Sequence, residues 1–343
     1  MSSHWHQRAR GHLDSLTKPL GSLGMLEDIA ARLVAIQETS TPSVDKKAVF
    51  VFAADHGVTA EGVSAYPQAV TEQMVLNFLR GGAAINVLSR LAGAEITIVD
   101  VGVDASFSDA RLLSQKVRRG SRNMLAEPAL ADAELSSALG IGSSLAEEAH
   151  ARGIQLVAVG EMGIGNTTAA SAITAALTGA DAEQVTGHGT GVQGEAFLHK
   201  QRVVRDALAL HFPNLANRRP APLDVLRCVG GLEIAAIAGF IRTAAQKRLA
   251  IVIDGFISTA AAAIACQLDP ATTECLFAGH QSCEMGHMLL LELMGQRPIL
   301  RLDMRLGEGT GAVLAFSIIE AAARIYNEMA TFASAGVSEA IQP

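Results

Sequence analysis

Val49-Phe50-Val51-Phe52-Ala53-Ala54 runs without a polar residue into Asp55-His56-Gly57-Val58. A half-exposed strand alternates apolar and polar side chains with period two, and this stretch does not. Both faces of the strand are therefore expected to be covered, as in a parallel sheet flanked by helices. Further β-rich runs recur at 95–101, 154–160, 249–254, 273–278 and 299–303, each leading through Gly or polar residues toward a helical stretch. With the first at 48–54 they make about six strands. The repeated β-then-α order predicts an α/β fold, a Rossmann-like, doubly wound and mainly parallel sheet.

The ends of the chain read differently. Residues 5–37 and 311–334 have helical spacing, the latter through Leu314, Ile318, Ile319, Ala322 and Ile325. They predict a small helical domain from both chain ends, residues 1–39 plus 311–343, beside a large α/β domain over 40–310. Residues 106–133 mix charge and small side chains without a period, which predicts a surface excursion with short helices. Residues 214–222, with Pro213, Pro220 and Pro222 nearby, predict a loop.

Composition narrows the function classes. The chain has 343 residues, 49% apolar and only 18% charged, with 32 Gly against one Trp, two Tyr and eleven Phe. Its core must be built mainly from Ala, Val, Ile and Leu, and a chain this long buries enough of them to need no disulfides. The net charge of −7 argues against a nucleic-acid or anionic-lipid surface, so any phosphate must be held locally. The long weakly charged stretches are broken by Asn, Thr, Ser and Gln, so none reads as a membrane span. Residues 1–16 carry His, Arg and Asp and no apolar run, unlike a secretory signal. The cysteines, Cys228, Cys266, Cys275 and Cys283, are few, as suits reduced thiols in a cytoplasmic protein.

In an open parallel sheet, ligands bind beyond the carboxyl ends of the strands. The segment after the third run, Glu161-Met162-Gly163-Ile164-Gly165-Asn166-Thr167-Thr168, is the best phosphate candidate. Gly163 and Gly165 let backbone approach an anion, Asn166 and Thr167 supply donors, and the Ala-rich helix that follows offers its N-terminal N–H groups. The same letters also fit a capped strand-to-helix turn. Gly189-Thr190-Gly191-Val192-Gln193-Gly194 matches G-x-G-x-x-G, but no strand precedes it and no acidic partner follows about 20 residues on. It reads as a loop whose glycines could close over a ligand. Lys200 beyond it could reach a phosphate, although its neighbours Arg202 and Arg205 slightly favour a solvated helix face. His280, Cys283 and His287 sit at metal-like spacing, yet without C-x-x-C or H-E-x-x-H no metal is expected. Glu308 stands between Gly307 and Gly309 ahead of an apolar helix. A carboxylate so framed suits a desolvated general base, and equally a helix cap.

Taken together these segments resemble the nicotinate-nucleotide:dimethylbenzimidazole phosphoribosyltransferase family. The resemblance rests on Lys18-Pro19-Leu20-Gly21-Ser22-Leu23-Gly24, Ala54-Asp55-His56-Gly57-Val58, Tyr66-Pro67-Gln68 with Val70-Thr71, residues 160–168, Val229-Gly230-Gly231, residues 249–258, His280-Gln281-Ser282 and residues 305–311. It implies ribose-phosphate transfer from nicotinate mononucleotide to dimethylbenzimidazole in cobalamin lower-ligand assembly, by a homodimer that needs no cofactor. It implies Glu308 as general base and Glu161, Gly163, Lys200 and Ser282 as nucleotide contacts, with Asp254 and Gly231 as neighbours. Tyr66 and Met74 fall in the base pocket, where members vary. Two competing readings rest on the residues alone: an NAD(P)-dependent oxidoreductase, from the sheet and the glycine motif, and a non-catalytic nucleotide sensor in which Glu308 is only a cap.

Overall fold

The computed structural model describes residues 3–338, so residues 1, 2 and 339–343 of the expected helical domain lie outside the described residues. Seven strands form one sheet: β1 (Lys47–Ala54), β2 (Glu95–Gly102), β3 (Leu112–Ser114), β4 (Leu156–Met162), β5 (Ala250–Ile253), β6 (Leu276–Gln281) and β7 (Pro298–Arg301). Their order is β3-β2-β1-β4-β5-β6-β7 and every pairing is parallel. The chain leaves β1 toward β2 and β3, then returns to lay β4 on the other side of β1. The reversal opens a crevice at the carboxyl ends of β1 and β4, where such sheets bind ligands.

β1 is central, and its residues from Ala48 to Ala54 are all buried. On one face Phe50 and Phe52 meet Phe240 of the helix Leu232–Gln246, with ring centroids 4.8 and 5.9 Å apart. Val49 faces the opposite layer, beside Gly309 and the helix Thr310–Glu328. This two-sided cover explains the missing alternation. The few aromatics go with close backbone packing. The helix Asp132–Ala151 crosses Leu232–Gln246 at Gly142 and Gly239, and a Cβ on Gly142 would overlap the Ala236 carbonyl while one on Gly239 would overlap that of Leu139.

Several boundaries differ from expectation. The 106–133 segment contributes β3 and no helix before Asp132; three paired residues are too few to show a period. The run expected at 273–278 is displaced, because Asp269 accepts the Ala271 N–H and Pro270 starts a 3₁₀ turn that lasts to Cys275. His280 and Gln281 consequently belong to β6. Glu161 likewise lies within β4, and Glu308 is on a loop seven residues after β7 rather than at a strand end. The expected 5–37 helix is two helices, Ser3–Ser15 and Met25–Gln37, separated by a turn in which Gly21 and Gly24 take φ of 68° and 53°. The expected 311–334 helix is Thr310–Glu328 followed by the short Phe332–Ala335.

Helices from the two ends meet: His12 Nε2 lies 2.9 Å from the Tyr326 carbonyl, and the Thr17 N–H donates to Ala330 O at 3.0 Å. Lys18 and Glu27 form a buried ion pair at 2.8 Å. The buried apolar faces of these helices join the core of the sheet in one connected cluster.

The glycine crossing generates a paired prediction. Gly142→Ala forces two helix backbones apart and should lower unfolding free energy by about 1–3 kcal/mol. Gly140→Ala, on the same helix with nothing within 4 Å of the added Cβ, should raise it by up to about 1 kcal/mol. Urea unfolding of both variants checks the contrast.

Candidate active site

The carboxylate of Asp254, immediately after β5, is 1% exposed and accepts three backbone N–H groups. Oδ2 takes Gly309 at 3.0 Å, and Oδ1 takes Gly311 at 2.7 Å and Ala312 at 3.0 Å. These groups open the helix Thr310–Glu328, whose first N–H groups have no partner inside the helix and whose positive dipole end favours an anion. Gly279 of β6 lets this turn sit directly on the sheet, since a Cβ there would come within 2.7 Å of Ala312 Cα. Gly160 of β4 admits the Glu308 backbone in the same way.

The clamped loop is unusual in its backbone. Gly307, Glu308 and Gly309 take φ of 86°, 64° and 90° in succession. The left-handed region costs a residue with a Cβ about 1–2 kcal/mol, and only Glu308 bears it here. The Glu308 side chain is 5% exposed and lines a cavity of about 530 Å³. Burial pushes its carboxyl up to about 7, opposed by the Ile85 N–H and reinforced by the Asp254 charge. Glu161 lines the same cavity, its Oε1 packed where a Gly307 Cβ would stand. Burial, then the charges of Glu233 and Asp254, raise Glu161 to about 8, while a hydrogen bond from the Asn166 side chain opposes them. Two carboxyls that change protonation near neutrality suit proton transfer.

Beyond Glu161, Gly163 fits under the Ala54 carbonyl, Gly165 takes φ of 96°, and the helix Asn166–Thr178 begins. Thr71 Oγ1 holds the Ile164 N–H at 3.1 Å. Thr167 Oγ1 accepts from Lys200 Nζ at 2.9 Å. Lys200 is 1% exposed, so the solvated face slightly favoured by its neighbours is wrong: it lies on the buried face of the helix Gly194–His211 with Val203, Val204 and Ala207. Burial lowers its pKa to about 8, countered by Glu284.

The 189–194 loop joins the helices Ala182–Val185 and Gly194–His211, so it is not a strand-to-helix dinucleotide turn. It is a wall of the cavity. A Cβ on Gly189 would lie 2.7 Å from both Lys200 Nζ and Thr167 Oγ1, and the Gly189 carbonyl accepts from Arg305 at 3.1 Å. Thr190 Oγ1 lies 3.1 Å from Ser64 Oγ and accepts the Ala65 N–H at 3.1 Å, beside Tyr66.

The cavity brings together Tyr66, Met74, Glu161, Gly163, Asn166, Thr167, Ser282 and Glu308. Gly165, Lys200, Gly231 and Asp254 stand behind its lining. Gly165 caps the helix at 166, Lys200 acts through Thr167, and Asp254 is the clamp described above. Gly231 abuts the His56 ring. The wall also includes Phe256, His280, Glu284 and Arg305, which the sequence reading gave no site role. His280 and Arg305 stand in motifs of the resemblance and Phe256 follows Gly255, whereas Glu284 carries no such signal. His287 is structural: Nδ1 accepts the Ser282 N–H at 2.9 Å, Nε2 meets Thr259 Oγ1 at 3.0 Å, and burial, with His280 adding, lowers its pKa to about 3. Among the described residues no three His, Cys, Asp or Glu side chains are grouped to hold a metal ion.

A doubly wound sheet with an anion-ready glycine turn and a buried, near-neutral carboxyl at its carboxyl edge defines an α/β enzyme of nucleotide chemistry. A family model described as "Phosphoribosyltransferase" matches residues 1–337. The chain is 54% identical over 333 residues to the nicotinate-nucleotide–dimethylbenzimidazole phosphoribosyltransferase of Geobacter sulfurreducens, covering 97% of this chain and 94% of that protein. It is 52% identical over 332 residues to the protein of that name from Chloroflexus aggregans, covering 96% and 93%. The crystal structure of the Thermus thermophilus protein of that description superposes with a TM-score of 0.93 at 48% identity, over 99% of this chain and 100% of that one. The chain belongs to the nicotinate-nucleotide–dimethylbenzimidazole phosphoribosyltransferase family.

The clamp can be tested directly. Asp254→Asn replaces a charged acceptor by an amide that cannot accept through both arms, which should cost about 3 kcal/mol of stability in urea unfolding. A loss below about 0.5 kcal/mol would show that the helix start does not depend on Asp254.

Proposed function

We propose that this chain moves the 5-phosphoribosyl group of nicotinate mononucleotide onto dimethylbenzimidazole, giving α-ribazole 5′-phosphate and nicotinate. The observation that carries the reading is Glu308, buried in the cavity wall with its carboxyl held near 7. A benzimidazole has one nitrogen with a free lone pair and one bearing a proton. The lone pair attacks C1′ of the ribose as Glu308 takes the proton from the other nitrogen. The bond from C1′ to the pyridinium nitrogen breaks and its electron pair stays with that nitrogen, so nicotinate leaves with a neutral ring nitrogen and needs no acid. The passing oxocarbenium character at C1′ is stabilised by carboxylate charge nearby.

The phosphate fits the 163–167 turn, where Gly163, Asn166 and Thr167 line the cavity and Lys200 backs Thr167 with a positive charge. Ser282 adds a hydroxyl to the same wall, and Tyr66 and Met74 flank the space for the flat base. The same reading takes residues 40–310 as the large α/β nucleotide- and base-binding domain and residues 1–39 plus 311–343 as a small helical domain. It takes the chain as a cytoplasmic homodimer with small-molecule substrates and no nucleic-acid partner. In support, all four cysteines are free thiols, and Val87 and Leu91 stand one turn apart and exposed on the helix Ala84–Ala92. No described helix is long and apolar enough to cross a membrane.

Glu308→Gln should reduce kcat by about 10²–10⁴-fold while nucleotide binding stays within a few-fold, as read by mass spectrometry of product and by calorimetry. The base works ionised, so kcat should rise about tenfold per pH unit on the acid side and level off above about 7. A wild-type rate in the Gln variant would overturn the assignment of the base.

A further inference from the structure

His56, just after β1, and Glu233, in the first turn of the helix Leu232–Gln246, form a fully buried ion pair. Nε2 lies 2.6 Å from Oε1, with side chains 1% and 0% exposed. Three glycines pack against His56: Gly231 at the Cε1–Nε2 edge of the ring, Gly163 at Cδ2 and Gly165 at the Cβ methylene. An added Cβ would stand 3.4 Å from Cδ2 at Gly163 and 3.2 Å from His56 Cβ at Gly165. His56 thus stands beside the Ala54 carbonyl and Thr59 among the groups the 163–165 turn packs against, and Glu233 fixes its ring.

We propose that His56 and Glu233 are positioning residues for the phosphoribosyl donor: their ion pair sets the 163–165 turn and the electrostatic environment of Glu161. A buried pair of this kind adds little net stability, because desolvating two charges offsets most of their attraction, so its effect here is directional. Burial works against the imidazolium, but the charge and hydrogen bond of Glu233, with Asp55 adding, hold His56 above its usual value. Glu161 faces Glu233 from the helix, Asp254 from the end of β5 and Glu308 from the loop, all raising it, and only the Asn166 side chain opposes them. Held protonated, Glu161 is a hydrogen-bond donor toward the cavity, which an anionic ligand requires of a carboxyl beside it.

This inference rests on the transfer reading above. Wild-type turnover tests that reading, and the ratio of variant to wild type in the same assay tests the inference. In Glu233→Gln, KM for nicotinate mononucleotide should rise roughly tenfold with kcat within about threefold, and the alkaline limb of kcat/KM, near 8 in wild type from Glu161 and Lys200 together, should broaden to lower pH as the Glu161 part shifts. Glu233→Asp keeps the charge but shortens the reach, so KM should rise while the limb stays; it also carries the test if the Gln variant does not fold. A folded variant with wild-type KM and limb, or one that loses kcat alone, overturns the proposal.

Discussion

Three backbone N–H groups at the start of the helix Thr310–Glu328 converge on one carboxylate, Asp254, which arrives from the end of β5. An uncapped helix start buried against a sheet would leave those donors unsatisfied. The clamp removes that cost, and it also fixes where the preceding loop must run. With Gly309 and Gly311 tied down, and Gly160 and Gly279 offering no side chains to hold the loop off, Glu308 is pressed onto β4 in a left-handed conformation it would not choose alone. Its carboxyl is held between the Ile85 N–H and the cavity it lines.

That placement resolves how an acidic chain can hold an anionic nucleotide. The cavity edge gathers Glu161, Glu233, Asp254 and Glu308, and none is balanced by a basic surface patch. Asp254 accepts backbone amides and Glu233 is paired with His56. Glu161 and Glu308 are raised by burial toward protonation at neutral pH. On the proposed reading, a phosphate meets helix N–H groups, hydroxyls and the buried Lys200, a local and directional positive field rather than a broad one.

The legible part of the molecule was what local pattern determines. The apolar run at 49–54 announces a two-sided strand, motif glycines announce Glu161, Gly163, Asn166, Thr167 and Glu308, and the family resemblance adds Ser282; all six line the cavity. What stayed hidden depends on partners distant in sequence. β3 exists only through three residues paired to β2. Lys200 looked solvated because its helix carries arginines nearby, and only packing shows it facing Thr167. The helix clamp made by Asp254 and the imidazole seat at Gly231 depend on partners their own segments do not contain. The 189–194 glycines imitate a dinucleotide turn by letters, yet the contacts of Gly189 with Lys200 and Arg305 and of Thr190 with Ser64 make the loop a wall.

The account stands on Glu308 being a strained, desolvated carboxyl that titrates near neutrality. Carbon-13 NMR of the full chain labelled at glutamate side-chain carboxyls, with Glu308 assigned by its loss in Glu308→Gln, reads this without any substrate. A midpoint at about 7 is predicted. A midpoint near the ordinary glutamate value of about 4.3 would contradict the claim that the Asp254 clamp delivers a poised base.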